Sequence, residues 1–222
     1  MYISIEVPEI CEYPQGFPKY WLKSMFIGTV SQNYQVNALV GTYIRLVEAA
    51  LVEYQLGTSM LQKFWGTHTS INLRAMYRSI SHFESCLLDM HRAINCYRRL
   101  RRHKDQHPLC LALNIEKPSF AADPVADQLR LIRNEIYHLD EAVIDGRVQE
   151  GQPFALKPDG PETPHPIELN QTIKSIDRLI IGQRELLFSS LAEWLTEMGR
   201  YAEKIADFGP DRKAGSATSG TD

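Results

Sequence analysis

Apolar residues return every three or four positions through four long segments of this chain, and that rhythm leaves few folds open. Val36, Val40, Tyr43, Val47, Ala50 and Tyr54 follow it, as do Met76, Ile80, Phe83, Leu87, Met90, Ile94 and Tyr97. Val125, Leu129, Ile132, Ile136, Leu139 and Val143 repeat it. Leu169, Ile173, Ile176, Ile180, Leu187, Leu191, Trp194, Met198, Tyr201 and Ile205 carry it further. Such spacing puts one apolar stripe along each helix. Four stripes must bury one another, so the expectation is an all-α, up-and-down four-helix bundle over residues 31–208. No internal repeat or coenzyme glycine motif interrupts it.

The flanks read differently. Residues 1–30 are expected to be an irregular segment, with "YISIEV" as one short strand. Pro8, Pro14, Gly16 and Pro18 break the pattern, and "YWLKSMFIGTV" is apolar without a period. Gly57 is a plausible stop for the first helix. Asp123-Pro124 opens the third with a capping acid and a proline at its first position. Residues 146–166, rich in proline and glycine, are expected to form a long loop or a small hairpin before the last helix. In that helix the rhythm loses a step near Gln183, where Gly182 permits a bend. Residues 209–222 read as a disordered tail.

Composition narrows the function classes. With 222 residues, 44% of them hydrophobic and 23% charged, a sizeable core can form. The net charge of −3 gives no global basic signature, so any polyanion site must be a local patch. Cys11, Cys86, Cys96 and Cys110 make no metal-ligand spacing and read as free thiols. No signal peptide is visible and no apolar run is long enough to span a bilayer. A soluble cytoplasmic protein without a membrane partner is the expectation.

The third helix carries Arg133, Asn134 and His138 beside its clean stripe. At about 100° per residue, Arg133 lies at the stripe's flank, and Asn134 and His138 are i,i+4 neighbours on another face. Arg133 and His138 are roughly 140° apart, too far to converge within one helix. Two copies facing each other near residues 134–138 would bring two arginines and two histidines around one cleft. Leu131 and Ala142 would add an apolar component to that contact. The chemistry suits RNA. A histidine can move a proton at neutral pH, an arginine can clamp a phosphate, and RNA supplies its own nucleophile in the 2′-hydroxyl. Asn134 would orient His138 or touch the phosphate.

Arg133-Asn134-Glu135-Ile136-Tyr137-His138, late in a helical bundle, resembles the R-N-x-x-x-H signature of HEPN domains. The resemblance implies an all-α homodimer joined through the third long helix, with the motifs at its interface. It implies metal-independent cleavage of single-stranded RNA, leaving a 2′,3′-cyclic phosphate, with Arg133, His138 and Asn134 as catalytic residues and no cofactor. Many relatives are bacterial toxins or defence effectors, so a neutralising antitoxin protein is an implied partner. Some members carry a tyrosine two places after the histidine, where this chain has Asp140. Other HEPN domains are non-catalytic modules for dimerisation or for binding a nucleotide or protein, and that alternative stays open. So does a purely structural bundle in which the motif is accidental.

Further residues could support such a site. Arg98, Arg99, Arg101, Arg102 and Lys104 end the second helix and could guide an RNA backbone, or could merely balance the helix dipole. Tyr137 lies within the motif, and Asp140 and Glu141 follow the imidazole. Glu84 could pair with Arg133 across the bundle. Glu84, Asp89 and His91 are not expected to bind metal, because the paired Glu-x-x-His of bundle metal sites is missing.

Overall fold

The computed structural model describes residues 1–10, 16–26, 33–65, 71–104, 107–148 and 154–208. The expected tail and Cys11 lie outside these residues. The elements run β1 (Tyr2–Ile5), α1 (Gly16–Phe26), α2 (Tyr34–Phe64), α3 (Leu73–Arg101), α4 (Pro108–Ile115), a 3-10 turn at Ser119–Ala121, α5 (Asp123–Tyr137) and α6 (Leu139–Ile144). There follow β2 (Leu156–Asp159), β3 (Glu162–Pro164), β4 (Thr172–Ile176), β5 (Arg178–Ile181), β6 (Arg184–Leu187) and α7 (Phe188–Asp207).

Helices α2 and α3 form the spine. Asn33 caps α2 through the N–H groups of Gln35 and Val36, and Asn72 caps α3 through that of Ala75. The two helices run antiparallel. Ser79 Oγ donates to the Gly57 carbonyl at 2.8 Å, and His82 Nδ1 meets Glu53 Oε2 at 2.6 Å. At the far end His103 Nε2 meets Gln35 Oε1 at 3.2 Å. Both stripes are buried, apart from Met76 at the start of α3, which is half-buried. Helix α7 joins α2, where the Tyr43 hydroxyl donates to the Met198 carbonyl at 3.1 Å. Helix α5 lies on α3. Where α3, the 3-10 turn and α7 meet, the rings of Tyr97, Phe120 and Tyr201 pack edge to face at 5.0–5.6 Å.

Gly57 does not stop α2. Helix α2 continues to Phe64 because a Cβ at Gly57 would sit 3.0 Å from the Phe83 ring. The missing side chain lets α3 close on α2, and that packing outweighs the roughly 1 kcal/mol a glycine costs in a helix. Asp123 does not cap α5 either. It sits in the first turn, Ala122 takes the cap position, and the Asp123 carboxylate binds Arg98.

The fold is mostly helical but not all-α. Thr172–Leu187, expected to begin the last helix, forms three strands instead. Thr172, Ile173, Ile176, Ile180 and Ile181 are β-branched and favour a pleated surface. Gly182, at φ +57°, turns β5 into β6 through two residues, a position that demands glycine. The hairpin expected in 146–166 is realised differently: β2 pairs with β5, and β3 pairs with β4. The described part of residues 1–30 packs with the rest. β1 pairs in parallel with β4, and α1 buries Phe17 and Tyr20 in the core. The sheets β1-β4-β3 and β2-β5-β6 thus complete the bundle.

At the turn between β2 and β3, a methyl group on Gly160 would lie 1.8 Å from the Ser175 carbonyl oxygen, which is backbone and cannot swing aside. Gly160→Ala is expected to lower the unfolding free energy in urea by about 1–3 kcal/mol. A melt identical to the parent's would show that this turn does not approach β4 so closely.

Candidate functional site

The polar residues singled out by the sequence sit where α5 leaves α3. The N–H of His138 still bonds the Asn134 carbonyl at 3.0 Å, but its φ of −106° and ψ of 23° end α5 there. The expected helix through Val143 is therefore broken at the motif histidine. The chain has run past the core at this point. The break shifts the stripe: Ala142 turns inward, while Val143 and Ile144 are 51% and 84% exposed. Leu131 and Ala142, expected on an open face, are half-buried and buried, and the exposed apolar residues here are Tyr137, Val143 and Ile144.

Arg133 folds back on its own helix. Its Nη2 donates to Asn134 Oδ1 at 2.8 Å, and its guanidinium carbon lies 5.5 Å from the centre of the Tyr137 ring, a cation–π distance. Its Nε is buried without an acceptor. Leaving such a donor unpaired typically costs about 1–3 kcal/mol. From α3, Arg92 Nη2 donates to the Tyr137 hydroxyl at 3.1 Å. The Tyr137 side chain is thus engaged by two arginines. His138 faces the other way, with Nδ1 3.2 Å from Glu141 Oε2. Asp140 is exposed. No hydrogen bond joins Arg133 to His138 within the protomer, as the angle between them requires, and Asn134 holds the arginine rather than the imidazole. Glu84 does not pair with Arg133. Its carboxylate accepts the Ala155 N–H, and burial pushes its pKa up.

The sequence reading missed the neighbours that α3 brings to this place. His91 lies half-buried among Arg133, Arg92 and Arg130, next to the Asn95 amide at 3.1 Å. Burial, then the three arginines, holds its pKa below the usual histidine value. Arg92 has Asp89 at 3.8 Å and Arg130 has Asp127 at 3.4 Å. The Arg130–Asp127 pair is largely exposed, as is Arg92 though not the more sheltered Asp89, so both guanidiniums are only loosely neutralised. A signal existed. His91, Asn95, Arg98 and Arg102 recur at four, three and four residues, a polar stripe with the same rhythm as the apolar one.

That stripe leads to an open groove of about 630 Å³ lined by Gln35, Asn95, Arg98, Arg99, Arg102, His103 and Lys104. Arg98 is occupied by Asp123. Arg101 turns to a second hollow, beside Lys117. Among the described residues no carboxylate lines the groove, and no ion pair with a described residue engages Arg99 or Arg102. The predicted basic residues are thus divided: Arg99 and Lys104 line the groove, Arg101 lines the second hollow, and Arg98 and Arg102 border both.

Among the described residues no group of three His, Cys, Asp or Glu side chains is placed to hold a metal. Cys86, Cys96 and Cys110 form no disulfide with one another. No helix among them is long and apolar enough to cross a membrane.

Because the folded-state pKa of His91 is lowered, the unfolded chain takes up its proton first as pH falls. Stability from this residue is full above about pH 6.5 and is lost as pH drops towards the folded value. His91→Gln is expected to lose less stability than the parent between neutral and mildly acidic pH, measured by urea melts. Parallel pH profiles would refute the arginine-crowded placement of His91.

No known protein family, curated protein or solved structure gives a significant match to this chain.

Proposed function

We propose that this chain is a metal-independent endoribonuclease of HEPN type that cleaves single-stranded RNA at a site shared by two copies. The observation that carries the reading is the end of α5. There Arg133, with an unpaired Nε, lies beside Tyr137 and a cationic neighbourhood, and an exposed His138 terminates the helix.

The reaction needs only these groups. Arg133 leaves Asn134 to grip the scissile phosphate and offsets charge that develops on it. His138 of one copy takes the proton of the 2′-hydroxyl, and the 2′-oxygen attacks phosphorus. The 5′-oxygen leaves with a proton from His138 of the second copy. The products are a 2′,3′-cyclic phosphate and a 5′-hydroxyl. A second copy is required because, within one chain, Arg133 turns to Asn134 and His138 turns to Glu141. Tyr137, Val143 and Ile144, all at least half exposed, give the copies an apolar surface to share.

The same surface favours a second reading, a non-catalytic dimerisation or binding module. RNA cutting in the presence of chelator separates the two. The parent is expected to cut single-stranded RNA in chelator and to leave cyclic phosphate ends. His138→Ala is expected to lose roughly 100-fold or more in rate while remaining folded and dimeric by circular dichroism and sizing chromatography. A variant as active as the parent, or a parent that is monomeric while active, would remove the shared-site mechanism.

A further inference from the structure

The polar stripe of α3 has a direction, and the cleavage reading makes no use of it. At one end, Arg92 reaches the Tyr137 hydroxyl beside Arg133. At the other lies the groove of Arg99, Arg102 and Lys104. His91 and Asn95 connect them, joined by their own 3.1 Å contact. We propose that this face of α3 is a single-file track for the phosphate backbone of single-stranded RNA, leading from the cleavage site to the groove. The track gives the enzyme a length requirement on one side of the cut. This inference rests on the endoribonuclease reading for its substrate.

Three observations support it. The stripe repeats at helical spacing, so its members lie on one face. Among the described residues the groove is lined by cations and amides without a carboxylate, and Arg99 and Arg102 have no described ion-pair partner, so an anion meeting these two arginines replaces water and counterions. Its length also fits. His91 to Arg102 spans roughly 16 Å of helix at 1.5 Å per residue, which matches about five stacked nucleotides at ~3.4 Å each. A duplex suits the track poorly, since the cations form one row and not two. Asn95 and Gln35 carry no charge and leave the row readable by any base sequence, so the track sets length and strandedness, not sequence.

The test uses fluorescence anisotropy of the full chain with labelled 2′-deoxyuridine oligomers from dinucleotide to octamer. These present the same phosphates but lack the hydroxyl needed for cleavage. Affinity for the parent is expected to climb over about the first five nucleotides. Arg99→Glu with Arg102→Glu should weaken the octamer at least about tenfold and flatten the salt dependence. The same variant should leave the dinucleotide unchanged. Arg99→Lys with Arg102→Lys should keep most of the octamer affinity. The proposal is overturned if the parent binds dinucleotide and octamer equally, or if the charge-reversed protein binds the octamer as the parent does. The two readings fail separately. Length-dependent binding by a protein that cuts no RNA leaves the track and removes the nuclease. RNA cut at equal rates by parent and charge-reversed proteins at every length does the reverse.

Discussion

The close approach of α2 and α3 is the constraint on which the rest of the molecule depends. Gly57 leaves room for the Phe83 ring, and Phe83 in turn lies against Tyr54 and Phe188, at 6.1 and 5.1 Å between ring centres. One missing side chain on α2 therefore governs contacts with the first residue of α7 as well. The hydroxyls at this seam are used sparingly. Ser79 bonds the Gly57 carbonyl and Thr58 bonds that of Tyr54, so backbone that a larger residue would have sealed stays paired. With α2 and α3 locked, α7 and α5 can only settle on their remaining faces. The outer face of α3 is then left to solvent from His91 onward.

Long helices were readable from periodicity because twenty or more residues repeated one rhythm. Helices α2, α3 and the body of α7 show this, and Met198 and Ile205 are buried as their spacing requires. The strands were misread because Ile173, Ile176 and Ile180 happen to stand three and four apart. Local spacing cannot distinguish a helix from strands that turn at Asp177, and the partner of β4 is β1, far away in the chain. The site was readable as residues but not as contacts. Arg133 and His138 could be picked out and their divergence around the helix deduced. The hydrogen bond to Asn134, the stacking on Tyr137 and the approach of Arg92 depend on where α5 ends and how it crosses α3. Those are tertiary facts.

Arg133 is held by contacts that leave part of its guanidinium unused. Its contacts with Asn134 and Tyr137 are local and weak compared with a bidentate phosphate, and its Nε is left without a partner. A site arranged in this way favours an anion without paying for one in advance. The crowd of cations around His91 works in the same direction, because each added positive charge is relieved by the same ligand.

The pairing of β1 with β4 has a different kind of consequence. Met1 and Gln171 are 170 residues apart yet touch, and Tyr2 lies beside Ile173. Closing so large a loop is entropically costly and must wait for everything between to be in place. A ribosome emitting this polypeptide would expose β1, edge unmet, until β4 had followed it out. The helical hairpin, whose two arms are adjacent, would meanwhile have assembled by itself. The pairing of β1 thus waits on β4, and the helices between them are made first.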